Sequence, residues 1–154
     1  MLSSNVNTLS LADFSSPTDS SLGSVVDFPI CAATGSAATA VVYFEVAVGK
    51  HLGRHTDSAE EVIYVIEGDG EVTIGDERAS VSTGALAVVP ALVPHDVRNT
   101  GSSPLKVIGF FAASALVHTF FEPMLPEADV MIVVHDRHGR SLIAGTPFVP
   151  AMAG

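Results

Sequence analysis

Four side chains that could bind a cation lie in two short stretches of the sequence. The segment "GRHTDSAEEVIYVIEG", residues 53–68, carries His55, Asp57 and Glu61, and His95 follows the later turn "PALVP". The first three occupy odd-numbered positions, so their side chains share a face wherever the chain is extended. Buried carboxylates must be protonated or paired, because desolvation without a partner costs several kcal/mol. A divalent cation supplies the missing positive charge, and these residues therefore predict a metal site.

Short β-type runs must position these side chains. From Val25 onward they recur with Gly, Pro, Asn and Asp between them, as in "TAVVYFEVAVG", "EVIYVIEG", "GEVTIG" and "LKVIGFFAA". Many short strands at roughly even spacing, with no long helical period, predict an antiparallel sandwich or barrel. In "EVIYVIEG" both faces are apolar, which indicates a strand inside a two-layer or closed structure.

The length of 154 residues suits one domain. Residues 1–24 are rich in Ser, Asn and Asp, which favours a flexible N-terminal arm over a structured cap. The barrel is expected over residues 25–121. Residues 122–154 are expected to form a C-terminal extension, with a hairpin that turns near residues 137–139 and packs on the barrel or on a dimer partner.

Composition limits the partners of the chain. Seventeen acidic against seven basic residues give a formal charge of −10, which argues against nucleic acid and anionic membranes as partners. The N-terminus lacks the pattern of a signal peptide, and Cys31 is the only cysteine, so a cytoplasmic protein that binds a small molecule is expected. Apolar outward positions at Val62, Tyr64 and Ile66 predict a homodimer that buries them.

The two stretches resemble the paired motifs of the cupins, G-x5-H-x-H-x3,4-E-x6-G and G-x5-P-x-G-x2-H-x3-N. Asp57 stands in place of the second histidine and Leu92 in place of the middle glycine. The resemblance covers roughly residues 41–113. It implies an all-β fold, a single jelly-roll β-barrel with short or no helices, which holds a metal ion through the motif histidines and glutamate. The other eight fixed positions match: Gly49, His55, Glu61, Gly68, Gly84, Pro90, His95 and Asn99.

The retained ligands His55, Glu61 and His95 form a two-histidine, one-carboxylate set of the type found in open-sided Fe(II) oxygenases. Asp57 either binds the metal as a fourth ligand or turns aside and leaves a position for water or substrate. As a ligand it favours Fe(II) or Mn(II), with Zn or Ni as the other candidates. A barrel that binds an organic ligand and no metal is the third alternative.

These ligands favour a metal-dependent dioxygenase that acts on a small organic substrate. One alternative is a metal-dependent isomerase or lyase with Glu45 or Asp57 as the catalytic base, and another is a non-catalytic barrel that binds or senses a small ligand. Glu45 lines the pocket in the first case and is otherwise a solvated charge. His51 is expected in an exposed loop, and His118 in a structural or surface role.

Overall fold

The structure, a computed structural model, describes residues 1–124 and two strands at residues 131–136 and 139–144. Helical structure in this part of the chain is limited to two 3-10 turns, at Val6–Thr8 and Ala32–Thr34. The rest of the regular structure is β. The described strands are β1 (Ala12–Ser15), β2 (Gly23–Ile30), β3 (Ala40–Val46), β4 (His55–Asp57), β5 (Glu61–Glu67), β6 (Asp69–Ile74), β7 (Glu77–Ser82), β8 (Leu86–Val89), β9 (His95–Asn99), β10 (Leu105–Phe111), β11 (Leu116–Phe120), β12 (Met131–Asp136) and β13 (Gly139–Ala144).

These strands form two antiparallel sheets. The first has the order β1-β2-β3-β10-β5-β8, and the second has the order β13-β12-β11-β4-β9-β6-β7. Connections such as the one from β4 to β5 carry the chain from one sheet to the other. The predicted all-β jelly-roll class is confirmed, with one difference. In the described residues the two sheets are not joined edge to edge into a closed barrel.

Alternating burial along the strands holds the two sheets together. In β3, Val42, Phe44 and Val46 are buried, and in β5 Ile63 and Val65 are buried. Successive side chains of a strand point to opposite faces, so each inward set meets the inward set of the other sheet. Burying one such aliphatic or aromatic side chain stabilises the fold by roughly 1.5–3 kcal/mol. The result is one apolar core that surrounds the inward-facing polar residues.

Strand β1 lies in the segment that composition predicts as a flexible arm. It pairs antiparallel with β2. Phe14 of β1 is buried and packs against Phe120, with 5.0 Å between the ring centroids. Leu22, just before β2, is buried as well. The sheet therefore starts before Val25, because two apolar side chains anchor a segment whose average composition is polar.

The C-terminal extension adds two strands to the second sheet. β12 pairs with β11 and with β13, so the hairpin lies on the sheet of its own chain. The predicted turn falls on residues 137–138, which lie outside the described residues. No helix among the described residues has the length and apolar character needed to cross a bilayer.

The turn before β9 holds a leucine in the left-handed backbone region. Leu92 has a φ of 64°, and its side chain is 69% exposed. Its N–H donates a hydrogen bond of 2.8 Å to the carbonyl of Asp57, which ties the turn to β4. An L-residue in this region costs roughly 1–2 kcal/mol, which glycine avoids.

Replacing Leu92 with glycine is expected to stabilise the protein by about 0.5–1 kcal/mol. The free energy gained by relieving backbone strain exceeds the free-energy cost of the extra entropy that glycine gives the unfolded chain. The free energy of unfolding in urea measures the change. Ala91→Gly, in the same exposed turn but without a positive φ, is the control and should not stabilise. A less stable Leu92→Gly protein would mean that the leucine side chain contributes more than its backbone conformation costs.

The outer face of the first sheet exposes several large apolar side chains. Tyr64 of β5 lies opposite Leu86 of β8, and Val62 lies between Val88 and Phe110. All of these except the half-buried Val62 are exposed. Contiguous apolar patches of this kind mark interaction sites. The homodimer remains a prediction, and this face is the interface we expect for it.

Val88→Lys should therefore shift a dimer toward monomer, because it places a charge on that face next to Val62. Light scattering after size exclusion measures the mass. Val48→Lys is the matched control, since Val48 is similarly exposed but lies in the turn after β3. A monomeric wild-type protein would contradict the expectation outright.

Candidate metal centre

Strands β4 and β9 bring together two histidines from distant parts of the sequence. His55 begins β4, His95 begins β9, and the two residues are register partners. Their ring centroids are 4.1 Å apart, and both side chains are buried. The imidazoles predicted from separate motifs thus meet on the inner side of the second sheet.

Backbone carbonyls select the tautomer of each ring. Nδ1 of His55 lies 2.7 Å from the carbonyl of Gly53, and Nδ1 of His95 lies 2.9 Å from the carbonyl of Val93. A ring nitrogen that faces a carbonyl carries the proton, so Nε2 of each neutral ring presents a lone pair. Phe120 stacks on His55 at 4.5 Å and holds the plane of the ring. Both Nε2 atoms are therefore oriented to bind a cation.

Asp57 points toward the two histidines and does not turn aside. Its Oδ2 lies 3.1 Å from Nε2 of His95, and its Oδ1 lies 3.7 Å from Nε2 of His55. Ligand atoms of the three residues all lie within 4.8 Å of one another. The carboxylate is buried, so its charge must be balanced inside the protein.

Two atoms of this cluster have unused hydrogen-bonding capacity. Among the described residues, neither Oδ2 of Asp57 nor Nε2 of His95 has a partner of good geometry. With His95 neutral, both atoms are acceptors, so two lone pairs face each other. A divalent cation between them would replace this repulsion with two bonds. Imidazole nitrogens with one or two carboxylates are a common donor set for divalent transition metals, so the residues present fit such an ion.

Glu61 approaches the cluster from the opposite sheet. It begins β5, and its Oε2 lies 3.7 Å from Nε2 of His95. Gly109 of β10 leaves the room that Glu61 occupies, since a Cβ at that position would collide with Oε1. The predicted inward orientation of Glu61 is found, but β4 and β5 belong to different sheets. The carboxylate therefore approaches His95 across the core instead of sharing the face of His55 and Asp57.

Burial and neighbouring charges set the protonation of the cluster in metal-free protein. Burial lowers the pKa of His55 to about 4. Burial, and then the charge of Asp57, raise the pKa of Glu61 to about 8. Burial alone would raise the pKa of Asp57, but His118 and His55 hold it well below its usual range. Asp57 is thus ionised at neutral pH while Glu61 keeps its proton.

The pKa of His95 indicates that protons compete with a cation at this site. Burial acts to lower its pKa, but contact with Asp57 outweighs burial and raises the pKa above its ordinary value. A proton on Nε2 of His95 would compete with a metal for the position beside Oδ2 of Asp57. Metal binding must therefore release protons.

His118, for which the sequence predicts a structural or surface role, is a member of the site. It lies opposite Asp57 in the register of β11 and β4, and its Nδ1 is 2.5 Å from Oδ1 of Asp57. Both residues are buried. The alternation in "LVHTF" contains the relevant signal, because His118 shares a face with the buried Leu116 and Phe120.

Two of the residues considered from the sequence are not brought to the site. Glu45 lies on the face of β3 opposite Val42 and Phe44, and it accepts a hydrogen bond of 2.7 Å from Tyr43. This corrects the expectation of a catalytic base at Glu45, because strand alternation turns its carboxylate away from the core. His51 is half-buried and pairs with Asp96 at 2.6 Å, outside the cavity that the metal cluster lines.

An apolar cavity of about 50 Å³ opens beside the cluster, between the two sheets. Ser24 contributes a hydroxyl to it, but the described lining residues include no Lys or Arg. The volume accepts a few water-sized groups, whereas an engineered cavity that binds benzene measures about 150 Å³. Five phenylalanines line it: Phe14, Phe28, Phe44, Phe111 and Phe120.

Fold and site together define an all-β, double-sheet protein with a buried histidine and carboxylate cluster. The family model described as "Cupin domain" matches residues 42–111. That segment contains His55, Asp57, Glu61 and His95. The chain therefore contains a domain of the cupin superfamily, which confirms the resemblance of its motifs.

Among curated proteins, an uncharacterised protein of Methanocaldococcus jannaschii is 35% identical over 51 residues. The match spans 33% of this chain and 41% of that relative. The chain thus aligns with less than half of the relative's length, and the match carries no information on activity.

Solved structures share the fold at low sequence identity. A putative sugar phosphate isomerase from Acidithiobacillus ferrooxidans has a TM-score of 0.61 at 14% identity, over 94% of this chain and 92% of that one. A Lactobacillus farciminis oxalate decarboxylase in a formate complex has a TM-score of 0.63 at 17% identity, over 74% and 34%. The Cnp3 cupin domain of Schizosaccharomyces pombe has a TM-score of 0.60 at 12% identity, over 73% and 74%. At these identities the similarity establishes the fold alone.

The protonation of the cluster predicts how stability depends on pH. Between about pH 6.5 and 8 the folded metal-free protein keeps a proton on Glu61 that the unfolded chain releases, and the raised pKa of His95 acts in the same direction. Stability must fall as pH rises through this window, by on the order of 2 kcal/mol for one such proton. Bound metal should reverse the trend, because it requires the deprotonated ligands.

Thermal unfolding of chelator-treated and metal-loaded protein tests this expectation. The unfolding temperature of metal-free protein should drop from pH 6.5 to 8, and the increase caused by metal should grow over the same range. Glu61→Gln should flatten the first trend, while the exposed Glu60→Gln should leave it unchanged. Metal-free protein that becomes more stable toward pH 8 would contradict the protonation of Glu61.

Proposed function

We propose that this protein binds one divalent metal ion between its two sheets and acts on a small organic molecule there. The observation that carries the proposal is the contact of Oδ2 of Asp57 with Nε2 of His95, two buried acceptors without other partners among the described residues. A cation between the two atoms would bind both lone pairs and remove their repulsion. Fe(II) or Mn(II) suits this set best, since carboxylates favour harder ions, with Zn or Ni as the other candidates.

Each residue has a role that follows from its contacts. His55 and His95 would hold the ion through Nε2, because Nδ1 of each ring is engaged by a carbonyl. Asp57 would supply one oxygen, and Glu61 would lose its proton and join from the opposite sheet. A bound ion would supply an electrophilic centre that polarises a chelating substrate.

The cavity limits the chemistry of the substrate. Its apolar walls suit a molecule of a few heavy atoms, with polar groups that reach the metal and an apolar part that meets the phenylalanines. The lack of Lys and Arg among the described lining residues gives a phosphate no ionic partner in the protein. This argues against a sugar phosphate as the substrate of this protein, although one structural neighbour is a putative sugar phosphate isomerase.

Among reaction classes we propose a dioxygenase. The support is the donor set of two histidines and carboxylates, which is similar to the two-histidine, one-carboxylate set of non-haem Fe(II) oxygenases. An apolar cavity also favours chemistry that water would quench. The small hydroxy-ketones and β-diketones are the substrate classes to test first, since they chelate metals and are smaller than catechols.

A metal-dependent isomerase or lyase is the second candidate, and one observation favours it. The cavity contains an ionised carboxylate at Asp57 and a protonated one at Glu61. Two titratable groups whose environments separate their pKa values can serve as base and acid in a proton transfer. A non-catalytic binding barrel would use the same metal site without turnover.

Metal analysis of protein purified without added metal tests the site. His55→Ala and His95→Ala should each lose most of the bound ion, at least tenfold relative to wild type, since each removes one of a few ligands. The exposed Glu60→Ala should retain the ion. Equal metal content in all four proteins would overturn the assignment of ligands.

Oxygen consumption then separates the two reaction classes. Metal-loaded protein is incubated with hydroxy-ketones, β-diketones and catechols, with and without O2. Uptake of O2 that disappears in His95→Ala supports the dioxygenase. Product formation without O2 supports the isomerase or lyase. Saturable binding without any product indicates a ligand-binding barrel.

A further inference from the structure

We propose that His118 positions Asp57 as a metal ligand that binds through a single oxygen, and that His118 thereby sets the metal affinity of the site. The inference rests on the metal site of the proposed function and adds a residue outside both sequence motifs. Metal-binding histidines are commonly held by a carboxylate behind them. Here the order is reversed, with a histidine behind a carboxylate.

The contacts of Asp57 assign different tasks to its two oxygens. Oδ1 accepts the hydrogen bond from Nδ1 of His118 at 2.5 Å. Oδ2 lies 3.1 Å from Nε2 of His95 and has no hydrogen-bond partner among the described residues. His118 therefore engages one oxygen of Asp57 and leaves the other directed at His95 and the metal site.

The fold holds His118 in the orientation that this contact needs. His118 is the register partner of Asp57, so the two backbones fix the approach of the side chains. The ring packs against Phe28 at 5.3 Å and edge-on against Phe111 at 5.7 Å between centroids. A ring held between two phenylalanines supports the carboxylate before a metal arrives, which lowers the cost of ordering the ligand.

A second histidine and aspartate pair in the same protein shows what a purely structural pair looks like. His51 contacts Oδ2 of Asp96 at 2.6 Å, and the backbone N–H groups of Gly53 and Val97 donate to Oδ1. Both oxygens of Asp96 are therefore engaged. Asp57 differs because one oxygen is left unused in a buried cluster of ligands, and this difference indicates a role in metal binding.

Metal affinity of four His118 and His51 variants tests the proposal. His118→Leu removes the donor and keeps the site apolar, and the affinity for Mn(II) and Co(II) should fall by roughly 10- to 100-fold. His118→Asn places an amide donor near the position of Nδ1 and should restore most of the affinity. His118→Gln places its donor near the position of Nε2 and should not. His51→Leu is the control and should bind metal like wild type.

Competition with a chelating dye measures the dissociation constants, and the visible absorption of bound Co(II) reports a changed ligand set. Thermal unfolding of the metal-free variants monitors folding. If His118→Leu does not fold, the metal affinities of His118→Asn and His118→Gln test the proposal instead. Both side chains are polar amides, and they differ in the position of the donor. A folded His118→Leu with wild-type affinity, or equal affinities of Asn and Gln, overturns the role of His118. Absence of metal binding in wild type overturns the proposed function and this inference together.

Discussion

The whole arrangement depends on keeping an ionised carboxylate inside an apolar double sheet. Removing Asp57 from water is costly, and the cost is offset only by the polar groups that surround it. His118 donates to one of its oxygens, and His55 and His95 lie within 4 Å of the carboxylate. The same apolar walls that make burial expensive also strengthen each of these interactions, because the local dielectric constant is low. Core and site are therefore one structure, and a change in either alters the other.

Motif spacing made much of the site predictable. His55 and His95 were identified from positions in two motifs, and the structure makes them register partners. The inward orientation of Asp57 and Glu61 followed from odd-numbered positions. That argument holds only where the chain is extended, and the turn at residues 58–60 sends Glu61 into the other sheet. Alternation predicts which residues point inward, but it contains no information about which sheet they point from.

Other features depended on contacts that the sequence does not display. His118 lies beyond the motifs, and only the pairing of β11 with β4 reveals that it faces Asp57. Glu45 was considered a catalytic base, although Val42 and Phe44 on the other face of its strand already indicated the core side. Phe14 and Leu22 are buried in a segment whose composition suggested an arm. A few apolar anchors determine the structure of such a segment, and an average over its residues conceals them.

The shared fold leaves the chemistry to be decided by the side chains of this chain. Unrelated activities occur on one architecture, and structural neighbours below 20% identity illustrate this range. The features specific to this protein are an aspartate backed by a histidine, a cavity lined by five phenylalanines and the lack of Lys and Arg in the described lining. These features support a metal-dependent reaction on a small, largely apolar molecule.

The position of β4 in the second sheet has a mechanical consequence. β4 has three residues and is joined to β9 at one register position, His55 with His95. On its other side β4 pairs with β11, and β9 pairs with β6. The seam between the two parts of this sheet thus runs through the ligands themselves. An ion held there would cross-link β4 and β9, which share a single register pair. Binding of an ion would then also stiffen the wall of the cavity that these strands form.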